Sequence, residues 1–102
     1  MTINQLNCFV AVARKKHFAR AAESLDKTQP ALTVHIQRLE ADLGITLFDR
    51  TGKRVTLTPA AEILLPYAEK LLSDSMEARL RMEEVRGGSL GVVRVGVIPA
   101  TT

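Results

Sequence analysis

Leu32, Ile36, Leu39 and Leu43 fall at i, i+4, i+7 and i+11, directly behind the polar run Asp26-Lys27-Thr28-Gln29-Pro30. That spacing is one face of an α-helix. Thr28 suits an N-cap, and Pro30 is tolerated only in a first helical turn, where its missing N–H costs nothing. The pattern predicts a helix over Gln29–Leu43, stopped by Gly44 in the C′ position. Upstream, Phe18, Ala21, Ala22 and Leu25 make a shorter stripe with small residues in its middle and predict a helix Phe18–Leu25. Two helices joined by about four polar residues, with alanines where they cross, form the pattern of a helix-turn-helix.

The flanks extend this unit on both sides. Thr2 with Gln5 three residues on is a capping-box signature, so a first helix should run from Ile3 to about Lys15, with Ile3, Leu6, Phe9, Val10 and Ala13 on its apolar face. After Gly44 the period changes. Thr46–Arg50 and Arg54–Thr58 read as two short strands about the turn Thr51-Gly52-Lys53, a hairpin with Arg50, Lys53 and Arg54 at its tip. From Pro59 a helical pattern returns, capped by Thr58, and its apolar or small positions continue to Val85. Pro66 lies within its early turns, and Gly87-Gly88 reads as a hinge. Leu90–Ile98 is Val-rich and reads as a buried strand with no partner after it. A lone strand is unstable, so residues 87–102 are expected to be a hinge and the first strand of a truncated second domain.

Composition changes the picture little. The chain has 102 residues, enough for one domain, and is 46% hydrophobic but 4% aromatic. Its core is therefore expected to be aliphatic and helical, with few platforms for stacking single-stranded bases. The single cysteine, Cys8, makes neither an internal disulfide nor a metal cluster, which fits a reducing cytoplasm. The N-terminus lacks a signal-peptide pattern, and no run approaches the ~18 apolar residues of a membrane span. Charge is more telling in its placement than in its total of +3: residues 1–58 carry nine Lys/Arg against five Asp/Glu, residues 59–102 five against six. The basic half holds the helix-turn-helix, as phosphate binding requires.

At 100° per residue, Pro30, Val34, Gln37 and Ala41 lie roughly opposite the core stripe of the third helix, flanked by Thr33 and Arg38. A recognition helix reaches base edges mainly with its N-terminal part, so Gln29, Pro30, Thr33, Val34 and Gln37 are the candidate base contacts. Gln29 and Gln37 can pair bidentately with adenine, whereas Pro30 and Val34 offer only apolar contact, for which a thymine methyl is the natural target. Thr28, His35, Arg38, Arg50, Lys53 and Arg54 are candidates for phosphate or minor-groove contact. Each has a plainer alternative. Thr28 is an N-cap, His35 a packed stripe-edge residue, Arg38 an i+4 partner of Asp42, and Arg50 a partner of Asp49 or Glu40. Lys53 and Arg54 can be solvated tip charges. Arg14, Lys15 and Lys16 read as a solvated helix end, His17 as a turn residue and Cys8 as a small buried hydrophobe.

The set Ala21-Ala22-Glu23, Leu25, Thr28-Gln29-Pro30-Ala31-Leu32-Thr33, Ile36, Leu39-Glu40, Leu43-Gly44, Leu47-Phe48, Arg50 and Val55-Thr56-Leu57-Thr58 resembles the N-terminal domain of LysR-type transcriptional regulators. The likeness covers residues 3–86, plus the opening strand of the family's effector domain at 90–98. It implies a mainly α fold: a winged helix-turn-helix of three helices and a hairpin wing over residues 1–58, then a linker helix over 59–86 through which two chains dimerise. That apolar stripe is too long for the small winged domain to cover, and Leu64, Leu65, Ala68, Leu71, Leu72 and Met76 are the expected dimer contacts. Three positions depart from the family pattern. Val34 stands where a long polar or basic residue is frequent, His35 where Gln or Arg is frequent, and Ala61 where Gly is preferred.

The expected function is sequence-specific binding of an inverted-repeat, double-stranded DNA operator by a homodimer in the bacterial cytoplasm, at the nucleoid. A tetramer stays open for the full-length protein. Any small-molecule effector would act through the missing C-terminal domain; no cofactor, metal or membrane partner is expected. A protein-binding winged helix is the rival reading, but its outer face should be an apolar patch rather than polar with a basic wing. An enzyme reading lacks a metal-ligand cluster, a nucleophile–base set and a phosphate-cradling glycine loop.

Overall fold

Thr2 opens the first helix, α1 (Ile3–Lys15), by the expected reciprocal cap. Its hydroxyl accepts from the Gln5 N–H at 3.1 Å, and the Gln5 side chain accepts from the Thr2 N–H at 3.0 Å. Two donors that a helix start leaves unpaired are thereby satisfied. The structure, a computed structural model, describes residues 1–52 and 54–87. Lys53, Gly88 and the expected strand Leu90–Ile98 lie outside the described residues.

The remaining elements are α2 (Phe18–Ser24), α3 (Gln29–Leu43), β1 (Phe48–Asp49), β2 (Thr56–Leu57) and α4 (Pro59–Arg86). Leu25 is the C-cap of α2 rather than its last turn. The strands are shorter than the sequence suggests, and they pair antiparallel in the register Phe48↔Leu57, Asp49↔Thr56. Two left-handed residues redirect the chain between helices: Lys16 (φ 53°) after α1 and Asp26 (φ 55°) in the turn of the helix-turn-helix. Asp enters this region more easily than most residues, and a lysine there costs on the order of 1–2 kcal/mol. Gly44 (φ 67°) ends α3 in the same conformation at no such cost.

The helix α1 packs on α2 and α3, and α2 packs on α3. Leu6, Phe9, Val10 and Ala13 of α1 are buried as the stripe predicts, but Cys8 and Val12 are buried too, at 0% exposure, whereas Ile3 is exposed. The helix is thus covered around more of its circumference than a one-sided stripe allows. Burial pushes the Cys8 thiol up, against a smaller downward pull from Lys27. Its neighbours in the core include Leu32, Ile36 and Leu39 of α3, Ala21 and Ala22 of α2, and Leu47 and Phe48 at the wing's base.

The wing is tied down by side chains as well as by its short ladder. The Glu40 carboxylate accepts from the backbone N–H of Leu47 at 2.7 Å and of Phe48 at 3.4 Å. Thr58 donates its hydroxyl to the Thr46 carbonyl at 2.7 Å and accepts from the Ala61 N–H at 3.3 Å, so it also caps α4.

One compact unit spans Met1–Leu72, and α4 from Ser73 onward belongs to a second. The change of structure expected at residue 58 is therefore not a change of packing, because Ala61 and Ala68 are wholly buried in the first unit. Ala61, where the family prefers Gly, sits in this core with its methyl group packed. Ala68, one of the expected dimer contacts, is wholly buried in the chain's own core. Leu64, Leu65 and Leu72 are half-buried against the same core, while Leu71 and Met76 are exposed. At 100° per residue Ile63 and Tyr67 fall roughly opposite Ala61, Leu65 and Ala68, and both are about two-thirds exposed. α4 continues through Pro66 without interruption.

Candidate nucleic-acid interface

The N-cap of α3 is made as the sequence suggests. The Thr28 hydroxyl accepts from the Ala31 N–H at 3.3 Å, and Pro30 sits in the first turn. With Leu32, Ile36 and Leu39 buried, the opposite face of α3 is turned outward. Gln29, Pro30, Val34, Gln37 and Arg38 are all exposed, and Thr33 and His35 are half-buried at its margins. Val34, at 41% exposure, is with Pro30 an apolar side chain on this otherwise largely polar face. Asp42, the sequence's suggested partner for Arg38, instead accepts from the chain's amino terminus at 2.6 Å.

A second cluster forms beside the start of α3. Gln29, Arg50 and Arg54 line a cleft of about 280 Å³ together with Lys16, His17 and Phe18. No carboxylate is among its described lining residues. Gln29, Arg50 and Arg54 are candidates from the sequence, whereas by sequence Lys16 reads as a solvated charge and His17 as a turn residue. Both are placed here by the left-handed turn at Lys16 and by the cap of α2, where the His17 Nδ1 accepts from the Arg20 N–H at 3.1 Å. A basic residue next to a His ahead of a short apolar stripe was the available signal. The imidazole can replace the usual Ser, Thr, Asp or Asn at an N-cap, and position alone does not reveal that.

Arg50 is held in a way the sequence did not suggest. Its guanidinium carbon lies 3.9 Å from the centre of the Phe18 ring, within the range of a cation–π contact. Phe18 meets Phe48 edge-on, with ring centres 6.0 Å apart and an interplanar angle of 78°, and Phe48 in turn packs on Phe9 at 5.5 Å. The nearby carboxylates are engaged elsewhere: Glu40 with the wing's backbone, and Asp49 with the N–H and hydroxyl of Thr51 at 2.9 and 2.8 Å. Those two bonds hold the Asp49 carboxyl below its ordinary value, the backbone one more than the side-chain one.

The site thus combines an outward helix face that can present amide, hydroxyl and apolar groups with an adjoining cationic cleft. Among the described residues no group of His, Cys, Asp or Glu could hold a metal ion, and no helix is long and apolar enough to cross a membrane.

Comparison with known proteins agrees with this geometry. Residues 3–62 match the family model described as bacterial regulatory helix-turn-helix protein, lysR family. The chain is 37% identical over 98 residues to the HTH-type transcriptional regulator CfxR of Cupriavidus necator, covering 96% of this chain and 31% of that protein. It is 40% identical over 93 residues to the HTH-type transcriptional regulator XapR of Escherichia coli, covering 91% and 32%. The chain therefore spans about a third of the length of these relatives. Among solved structures, the BenM DBD in complex with catB site 1 DNA superposes with a TM-score of 0.79 at 36% identity, covering 84% of this chain and 97% of that one. The CbnR DBD–DNA complex gives 0.77 at 35%, covering 84% and 99%. With the capped recognition-type helix, the hairpin wing and the long α4 all in place, the chain belongs to the LysR family of bacterial regulatory helix-turn-helix proteins.

Proposed function

We propose that this chain reads double-stranded DNA for a transcription regulator, as a homodimer on an inverted-repeat operator. The observation that carries the reading is the exposed outer face of α3, with Val34 and Gln37 outward and a basic cleft beside its first turn. The BenM and CbnR relatives bound to DNA support it. In this reading Gln29, Pro30, Thr33, Val34 and Gln37 meet base edges, while Thr28, His35, Arg38, Arg50, Lys53 and Arg54 meet the backbone or the flanking minor groove. The arrangement is one of binding and not of catalysis. The dimer seam is the exposed side of α4, with Ile63, Tyr67 and Leu71 in its first half. Any small-molecule effector acts through sequence outside this chain.

Selection from a random duplex pool tests the whole reading. The expected product is an inverted repeat whose arms lie about one helical turn apart, ~34–36 Å, because a two-fold dimer presents two α3 helices to one side of the duplex. Recovery of unpatterned sequence, with binding indifferent to salt, would remove it.

Val34 makes the sharper claim. Replacing by uracil the thymine it packs on should cost on the order of 1 kcal/mol, the low end of one base contact. The same swap should cost little in a Val34→Ala protein, since the methyl has lost its partner. Tolerance of uracil at every operator position by the unaltered chain would show that Val34 reads no methyl group.

A further inference from the structure

We propose that the cleft between the wing and the α1–α2 turn seats one phosphate of the DNA backbone, and that Phe18 is its positioning residue, holding the Arg50 guanidinium ready for it. The inference rests on the DNA-binding reading above and adds to it a specific seat and a residue that no charge count would select.

Three cations, Lys16, Arg50 and Arg54, line the cleft, and none of its described lining residues is acidic. Phosphate is the anion that duplex DNA offers at regular spacing, and a guanidinium meets it with two parallel N–H donors in one plane. An unrestrained arginine must give up side-chain rotamer entropy to hold such a plane. Here that freedom is already reduced, because the guanidinium lies 3.9 Å above the Phe18 ring. The ring itself is 5% exposed and locked edge-on against Phe48, so it is a fixed platform and not a mobile surface group. Phe48 opens β1, and the Glu40 carboxylate of α3 accepts from its N–H and from that of Leu47 just before it. The orientation of Arg50 is therefore referred to the same framework that carries the base-reading helix. Stacking occupies a face of the guanidinium and leaves its in-plane donors for the phosphate. Lys16, in its left-handed turn, and His17 complete the wall. The His17 Nδ1 is already an acceptor for the Arg20 N–H, which leaves the other ring nitrogen as the donor.

The test is the salt dependence of binding of the 102-residue chain to a 30-base-pair duplex of arbitrary sequence, measured by fluorescence anisotropy. Arg50→Ala should make the slope of log K against log salt shallower by roughly 0.9 per chain, one phosphate's worth of released counterions. Phe18→Leu removes no charge, yet it should make the slope shallower by a comparable amount, and it should change nothing further in an Arg50→Ala background. A merely structural Phe18 would shift both backgrounds alike, or would lower affinity with the slope unchanged; either result overturns the proposal. Should Phe18→Leu not fold, Arg50→Lys decides. It keeps the charge but loses the stacking plane, and it should bind severalfold more weakly at ~0.1 M salt; binding equal to the unaltered chain overturns the proposal. An unaltered chain that binds no duplex takes down the DNA reading and this inference together. One that binds with a slope indifferent to Arg50 and Phe18 takes down only the inference.

Discussion

Replacing Tyr67 and Leu71 together by Asp is expected to give monomers and to weaken operator binding by roughly 10²–10⁴-fold, while the winged module stays folded. Both side chains are exposed, at 65% and 43%, on a helix whose inner face is occupied by the chain's own core. Truncating or charging exposed positions usually moves stability by about 0.5 kcal/mol or less. The cost to folding is therefore small, whereas two carboxylates facing their symmetry mates across a dimer seam are repelled and desolvated. Loss of the dimer means loss of the second half-site, whose binding is otherwise intramolecular; that linkage accounts for the predicted factor. Leu72→Asp is the instructive contrast. Leu72 is half-buried against the core of the first unit, so the charge there should lower the melting midpoint itself. Sedimentation velocity, circular dichroism melts and anisotropy separate these outcomes. An unaltered chain that sediments as a monomer at tens of micromolar would end the dimer reading.

How far the sequence could be read depended on how local each determinant is. The ends of α1 and α3 were legible because their caps are made by neighbours: Thr2 with Gln5, Thr28 with Ala31, and Gly44 at its left-handed turn. The outward face of α3 followed from a single clean stripe, and the buried Leu32, Ile36 and Leu39 obey it. α4 was harder. Its stripe contains Leu64, Leu65, Ala68 and Leu72, but a stripe says only that something covers it, not whether that is the same chain or another. The inner positions are taken by the winged module, and this leaves Ile63 and Tyr67, which the stripe omitted, facing outward. The plainer alternative for Arg50, an ion pair with Asp49 or Glu40, fails for a similar reason. The carboxylates nearest in sequence, Asp49 and Glu40, are recruited by backbone N–H groups of the wing, and the guanidinium turns to an aromatic ring 32 positions upstream. Contacts of that kind depend on how elements dock, for which neither periodicity nor spacing carries information.

Leu32 and Val34 stand two residues apart on α3 and should respond oppositely to the same truncation. Leu32 is at 0% exposure in the core, so Leu32→Ala is expected to cost about 2–5 kcal/mol through lost contacts and the cavity left behind. For a domain of this size each kcal/mol lowers the melting midpoint by about 4–8 °C, so the variant should melt at least ~8 °C early. Its DNA binding should fall at physiological temperature and return on cooling, because the reading face itself is untouched. Val34 is exposed, and Val34→Ala should melt within a few degrees of the unaltered chain, about 0.5 kcal/mol at most, while altering which base pairs are preferred. The pair of melts tests the rotational setting of the recognition-type helix directly. If Leu32→Ala melted normally while Val34→Ala melted early, α3 would be turned the other way round, and the base-reading face would have to be reassigned to the residues beside Leu32.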